Sequence, residues 1–200
     1  MKILAFSDLH LDEDAARAIL DAAPEADLVI GAGDFAQRRE GLDAYMALLE
    51  PIANKAVFVA GNNESVDELR AVSSAVILHG EAGRVDGLTI AGLGCAVPPL
   101  PPLPWPSCDI TEDQARDLLA PIKHADILIS HSPPHGVCDL LAQHGHIGSK
   151  SVREAVEHLQ PKLVFCGHIH DSWGQEGMIG ASRVVNLGPR VNWFEIDPTS

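Results

Sequence analysis

Asp8 and His10 stand in SDLH, Asp34 in GAGD, Asn62 in AGNNE, His131 in ISHSPP, and His168 and His170 in CGHIH. Carboxylate oxygen, imidazole nitrogen and amide oxygen are the donors that bind hard or borderline divalent cations. Seven such residues are too many for one ion and suit two ions that share a carboxylate. Each block directly follows a short apolar run, so the chemistry would sit where strands end.

Those runs are Lys2–Phe6, Leu28–Ile30, Ala56–Val59, Ile127–Ser130 and Leu163–Cys166. Apolar on both faces, they suit central strands of covered sheets. At the carboxyl end of such a strand the backbone turns away and side chains project into a crevice. The spacing places Asp8 and His10 on one face of an extended segment. Glycines at 31, 33, 61 and 167 let the chain turn tightly before Asp34, Asn62 and His168. Shorter runs at Ala75–Leu78, Gly83–Val85, Leu88–Ala91, Arg183–Asn186 and Trp193–Ile196 suggest an antiparallel part. Helical periods alternate with the strands: Leu42, Tyr45, Met46 and Leu49, then Val152, Ala155, Val156 and Leu159. Ser151 with Glu154 and Thr111 with Gln114 read as capping boxes. The reading is an α/β chain with mixed sheets, organised as one domain over residues 1–200.

Formal net charge is −14, so the field repels nucleic-acid polymers and anionic membranes. A polyanionic substrate would need local positive charge, which bound metals would supply. Four cysteines without a CxxC spacing read as mostly buried thiols, which with the absence of a leader or a membrane-length run suggests a cytoplasmic protein. PPLPPLPWP, residues 98–106, reads as a rigid surface loop near the site. GAGDFA also matches the dinucleotide pattern G-x-G-x-x-A, but Asp34 inside that loop opposes a pyrophosphate.

The ordered set DxH, GD, GNNE, a lone histidine and GHxH resembles that of the calcineurin-like metallophosphoesterase superfamily. The resemblance runs from Asp8 to His170. It implies an α/β fold in which two mixed β-sheets form a sandwich flanked by helices, with a dinuclear site at one sheet edge. It also implies one ion on Asp8, His10, Asp34 and His170, and a second on Asp34, Asn62, His131 and His168, with Asp34 as the bridge. The implied activity is hydrolysis of a phosphodiester by in-line attack of a metal-bridging hydroxide. The expected ions are manganese first, with iron, zinc or nickel as alternatives. The stretch from SHSPPHG to GHIH looks like that of small stand-alone members, some of which resemble cyclic-nucleotide phosphodiesterases.

One position departs from the pattern. Many members of the superfamily carry histidine after the asparagine, where it looks like a general acid near the leaving group. This chain has Asn63, which can hydrogen-bond but cannot deliver a proton in that sense. Asn63 and His146 are therefore the candidate catalytic residues. His146 is preferred over His135 and His144 because HIGS leads into the following helix, whose N-terminus favours anions. His79, His124 and His158 read as ordinary surface or boundary histidines. The competing reading is a binding or scaffold module that keeps the fold but little activity.

Overall fold

The computed structural model describes residues 1–197; the last three of the expected 1–200 unit lie outside the described residues. The first sheet has strand order β13-β1-β2-β3-β4, with β1 Lys2–Phe6, β2 Leu28–Gly31, β3 Ala56–Phe58, β4 Val76–Ile77 and β13 Asn192–Glu195. Its neighbours are parallel except for β13, which runs antiparallel to β1. The second sheet has the order β11-β12-β10-β7-β6-β5: β5 Glu81–Val85, β6 Leu88–Leu93, β7 Ile127–Ser130, β10 Leu163–Cys166, β11 Glu176–Ile179 and β12 Ser182–Asn186. The four inner strands are parallel and the two edges antiparallel. A hairpin, β8 Leu140–Leu141 with β9 Gly145–His146, stands apart. No described helix is long and apolar enough to cross a membrane.

Strand periodicity explains why the central runs are apolar on both faces. Ile3, Ala5, Leu28, Ile30 and Val57 point into a cluster shared with Ile90, Ile127, Ile129, Phe165 and Val185 of the other sheet. Their neighbours Leu4, Phe6, Val29 and Phe58 face outward against α1 Glu13–Ala22, α2 Leu42–Leu49 and α3 Val66–Val72. On the far side Leu93, Leu128, Val164 and Val184 pack on α4 Glu112–Leu119 and α5 Lys150–Leu159. The layers are thus helix, sheet, sheet, helix, as expected. Phe165 is fully buried between the sheets, and Phe165→Ala would cost about 3–5 kcal/mol.

Local chemistry sets the helix starts. Asp12 accepts the Asp14 and Ala15 amides ahead of α1, and Ser65 with Glu68 makes a capping box for α3. The Thr111–Gln114 box of α4 forms as read from the sequence. That of α5 does not: Ser149 is the cap, accepting the Val152 amide. Ser151 instead donates its hydroxyl to Glu112, whose carboxylate also takes the amides of Lys150 and Ser151. An acid borrowed from α4 satisfies that helix end.

One further reading needs correction, and the dinucleotide reading set aside above finds no support. Cys95 and Cys108 form a disulfide, so only Cys138 and Cys166 are buried free thiols. The partners are thirteen residues apart and close the proline-rich loop, a contact no CxxC search detects. The GAGDFA segment opens no helix, since α2 begins only at Leu42, and the amides of Asp34 and Ala36 donate to the buried Glu64 carboxylate. They are not free to cradle a pyrophosphate.

Candidate metal centre

The crevice lies where β1, β2, β3, β7 and β10 end, and the backbone there is bent, not extended. Asp8, His10, Asp34 and His168 all adopt left-handed φ, between 46° and 67°. Each such non-glycine residue costs on the order of 1–3 kcal/mol and persists only where the surroundings enforce it. The enforcement is visible: the Asp8 amide donates to Gly33 O, His10 N to Asp34 O and Leu11 N to Phe35 O. Asp8 and His10 therefore reach the site from a ladder against the Gly33–Phe35 turn, and not from one face of a strand. Gly61 and Gly167 are required by close approach. A Cβ at Gly61 would collide with the Asp34 carboxylate and amide, and one at Gly167 with Asp8 and Ser7.

All seven cage residues converge. In one group Asp8, His10 and His170 each bring a ligand atom within 4.8 Å of the others, and Asp34, His131 and His168 form a second group on the same terms. Asn62 joins the second group, its Oδ1 3.1 Å from His131 Nε2. Asp34 links the two: its Oδ2 lies 3.5 Å from His10 Nε2 and 3.5 Å from His131 Nε2.

Neighbouring groups orient these ligands. The His131 Nδ1–H donates to Ala32 O at 2.8 Å, leaving the Nε2 lone pair for the crevice. Asp8 accepts the Ser7 hydroxyl, the His168 amide and the Trp173 indole N–H. Trp173 also stacks on His170 with ring centroids 4.2 Å apart. Burial, then repulsion from His131, pushes the His168 imidazole down to about 3, so it is neutral and able to ligate. Burial likewise lowers His170. For His131 the cost of burial is outweighed by the Asp34 and Asp8 charges, which raise it. For Asp34 burial opposes ionisation, but the His131 and His10 charges and the Asn63 amide bring it below the usual carboxylate range.

The donor set fits divalent cations on an observation of its own. His10 Nε2 and His170 Nε2 face each other at 3.3 Å, while His10 Nδ1 is buried without a hydrogen-bond partner among the described residues. Two imidazole lone pairs aimed at one point, beside two carboxylates, are unfavourable unless a proton or a cation lies between them.

The Asn63 amide is already engaged within the protein. The residue is buried, its side-chain N–H donates to Asp34 Oδ2 and its backbone N–H to Asp34 Oδ1, both at 2.8 Å. Its Oδ1 accepts the Arg38 amide. It is a positioning residue for Asp34. His146 sits on β9, half-exposed, with Nδ1 2.5 Å from Asp139 Oδ1. His135 is 6.1 Å from it between ring centroids, and His144 is exposed at the hairpin turn.

Several residues of the site were not singled out in the sequence. Glu64, fully buried, accepts the amides of Asp34, Ala36 and Gly61, tying two ligand loops together. Burial and the Asp34 charge push its carboxyl up to about 7 against the pull of those amides. Its place in the GNNE block was the available signal. Asn186 donates to Gly167 O and Ile169 O, bracketing His168, and nothing near it in the sequence marks that role.

The uncharacterized protein MJ1162 of Methanocaldococcus jannaschii is 28% identical to this chain over 208 residues, covering 98% of the chain and 92% of the relative. Among solved structures, TT1561 of Thermus thermophilus superposes with a TM-score of 0.74 at 20% identity, covering 94% of this chain and 88% of that one. A novel archaeal phosphodiesterase does so with a TM-score of 0.53 at 16% identity, covering 94% and 84%. At these identities the two structures establish a shared fold. The sequence model of one family spans residues 1–172, from β1 through the last of the seven converging residues, and this chain belongs to that family, the calcineurin-like phosphoesterases, which are metal-dependent phosphoester hydrolases.

Proposed function

We propose that this chain is a dinuclear phosphodiesterase acting on small phosphoesters. One cation would be held by Asp8, His10, Asp34 and His170, and the other by Asp34, Asn62, His131 and His168. The observation that carries this is Asp34 Oδ2, equidistant at 3.5 Å from an imidazole nitrogen of each group. When bound, two such ions activate a water and offset charge on the phosphoryl oxygens. The chain's own residues hold the frame: His131 is fixed in one tautomer by Ala32 O, Asp34 is clamped by Asn63, and Asp8 by Ser7, His168 N–H and Trp173.

A small substrate suits a chain of net charge −14, which repels a polymeric anion except where the cations invert the local field. Manganese is the preferred ion, since mixed N/O ligation fits it, with iron, zinc or nickel as alternatives. The cytoplasm is the proposed location, resting on the free thiols Cys138 and Cys166, with the Cys95–Cys108 bond weighing against it. Activity on matched phosphomonoesters and phosphodiesters across Mn²⁺, Zn²⁺, Ni²⁺ and Mg²⁺ tests the reading. A strong monoester preference would overturn the diesterase assignment.

The scaffold alternative draws on Asn63, which occupies the donor position with an amide already engaged by Asp34 and Arg38. Absence of turnover of an aryl phosphodiester under every metal would favour it. Turnover abolished by Asp34→Asn supports the enzyme.

A further inference from the structure

Asp139 is a carboxylate with no solvent exposure and no lysine or arginine partner among the described residues. Its Oδ2 accepts the amides of Gly136 and Gly148, at 2.9 and 2.8 Å. Its Oδ1 is given to His146 Nδ1 alone, at 2.5 Å. A buried carboxylate holding Nδ1–H fixes the imidazole's tautomer and orientation, so that Nε2 becomes the exchanging atom. That ring is half-exposed, and its Nε2 has no partner among the described residues.

The segment carrying this pair, residues 139–146, is hydrogen-bonded to residues that flank three of the cage histidines. Its base closes just after His131, where His135 N donates to Ser149 O and Ser149 N to Pro133 O. Asn186 Nδ2, which brackets His168, also donates to Cys138 O. The Ala142 amide donates to Asp171, directly after His170, and the Ser172 hydroxyl to Leu140 O. His146 pairs across the hairpin with Leu140. It thus stands on a wall built from the neighbours of three cage histidines.

We propose that His146, positioned by Asp139, donates a proton to the leaving-group oxygen, and that this chain therefore acts on esters with alkoxide leaving groups such as a sugar or alkyl hydroxyl. The proposal rests on the hydrolase reading above. As the bond from phosphorus to the leaving oxygen breaks, its electron pair stays on that oxygen, which takes the proton from His146 Nε2. His146 is left neutral, with Nδ1–H still on Asp139, and regains its proton from solvent. Water supplies the new oxygen on phosphorus and releases a proton, so the reaction balances as ester plus water to alcohol plus phosphate product. The groups facing the ring are Asp139, the His135 imidazole and, beyond it, Arg153, which donates to His135 O.

The test compares methyl and p-nitrophenyl leaving groups on otherwise identical phosphodiesters with the Mn²⁺-loaded protein. His146→Ala and His146→Gln are expected to lower the methyl-to-aryl ratio of kcat/KM by about 10²–10⁴-fold, because only the alkoxide needs a proton. Asp139→Asn should move the same ratio in the same direction. Ring ¹⁵N spectra give a readout that needs no turnover. Metal-free wild type at pH 8 should show His146 as the Nδ1–H tautomer, lost in Asp139→Asn, and added Mn²⁺ should broaden the His146 ring signals. Equal losses on both esters, or His146 signals untouched by Mn²⁺, would overturn the proposal while leaving the hydrolase reading standing. Wild type inactive on both esters with every metal would overturn both.

Discussion

Asn63→Ala separates two roles for the residue that replaces the family's histidine. The substitution removes one hydrogen bond to an ionised carboxylate, Nδ2–H to Asp34 Oδ2, and the acceptor for the Arg38 amide. The first is worth about 1.5–3 kcal/mol and the second about 0.5–1.5, since Arg38 N is only part-buried and water can replace the acceptor. The backbone bond from Asn63 N to Asp34 Oδ1 survives. The expected loss is about 3 kcal/mol in the metal-free protein. For a chain of this size that corresponds to a fall in Tm of roughly 6–12 °C, against a total stability of about 5–15 kcal/mol. With Asp34 freed to rotate, affinity for Mn²⁺ should fall about 10–100-fold, the usual effect of losing a group that orients a ligand. Circular-dichroism melting and calorimetric Mn²⁺ titration read both quantities. Asn63→Asp should be worse for metal-free folding, because it sets a second carboxylate 2.8 Å from the first unless one of them takes a proton. Wild-type melting and metal affinity in Asn63→Ala, combined with a selective loss on alkyl esters, would refute the positioning role and favour a hydrogen bond from Asn63 to the leaving group.

Other outcomes follow from the same geometry. Asp34→Asn should reduce Mn²⁺ binding at both sites, read as a loss of both calorimetric steps, since one oxygen serves each group. Thiol titration of denatured, unreduced protein should give two free thiols and four after reduction, and Cys95→Ser/Cys108→Ser should cost about 2–3 kcal/mol in chemical denaturation, the expectation for a closed loop of this length. Burial pushes the Cys138 thiol up to about 11, so native protein at pH 8 should resist iodoacetamide at that site while urea-unfolded protein reacts, as mass spectrometry would show. Burial, then the Arg70 charge, lowers His79, whose neutral Nδ1 accepts the Gly94 amide. The unfolded chain takes up this proton near 6.5 and the folded one only at lower pH, so this contribution is fully present above 6.5 and is lost as pH falls below it. His79→Gln should flatten that part of the stability–pH curve; an unchanged slope would show that His79 does not drive it.

Much of the fold was legible because strand formation here is a local property. Five apolar runs are β1, β2, β3, β7 and β10 to within a residue, and the Leu42–Leu49 period is α2. The α1 and α3 helices were not read: their hydrophobic faces are short, with only two buried residues each in Ala16 and Ile19, and in Val66 and Leu69. Their capping residues Asp12 and Ser65 were the better guides. The α5 cap was misplaced by two residues because Glu112, distant in sequence, supplies the acid that a local capping box would have supplied.

The sequence by itself determined the inventory of candidate ligands and its order, because metal binding needs particular donor atoms at strand ends and those are written residue by residue. Only the tertiary structure decided what those residues do to one another. Asn63 turns onto Asp34, Glu64 joins two loops, Cys95 finds Cys108, and Asp139 is buried against His146. Each of these depends on directions and distances between segments that are remote along the chain. Hydrogen bonds and close approaches act over about 3 Å, and only the packed sheets bring such segments that near.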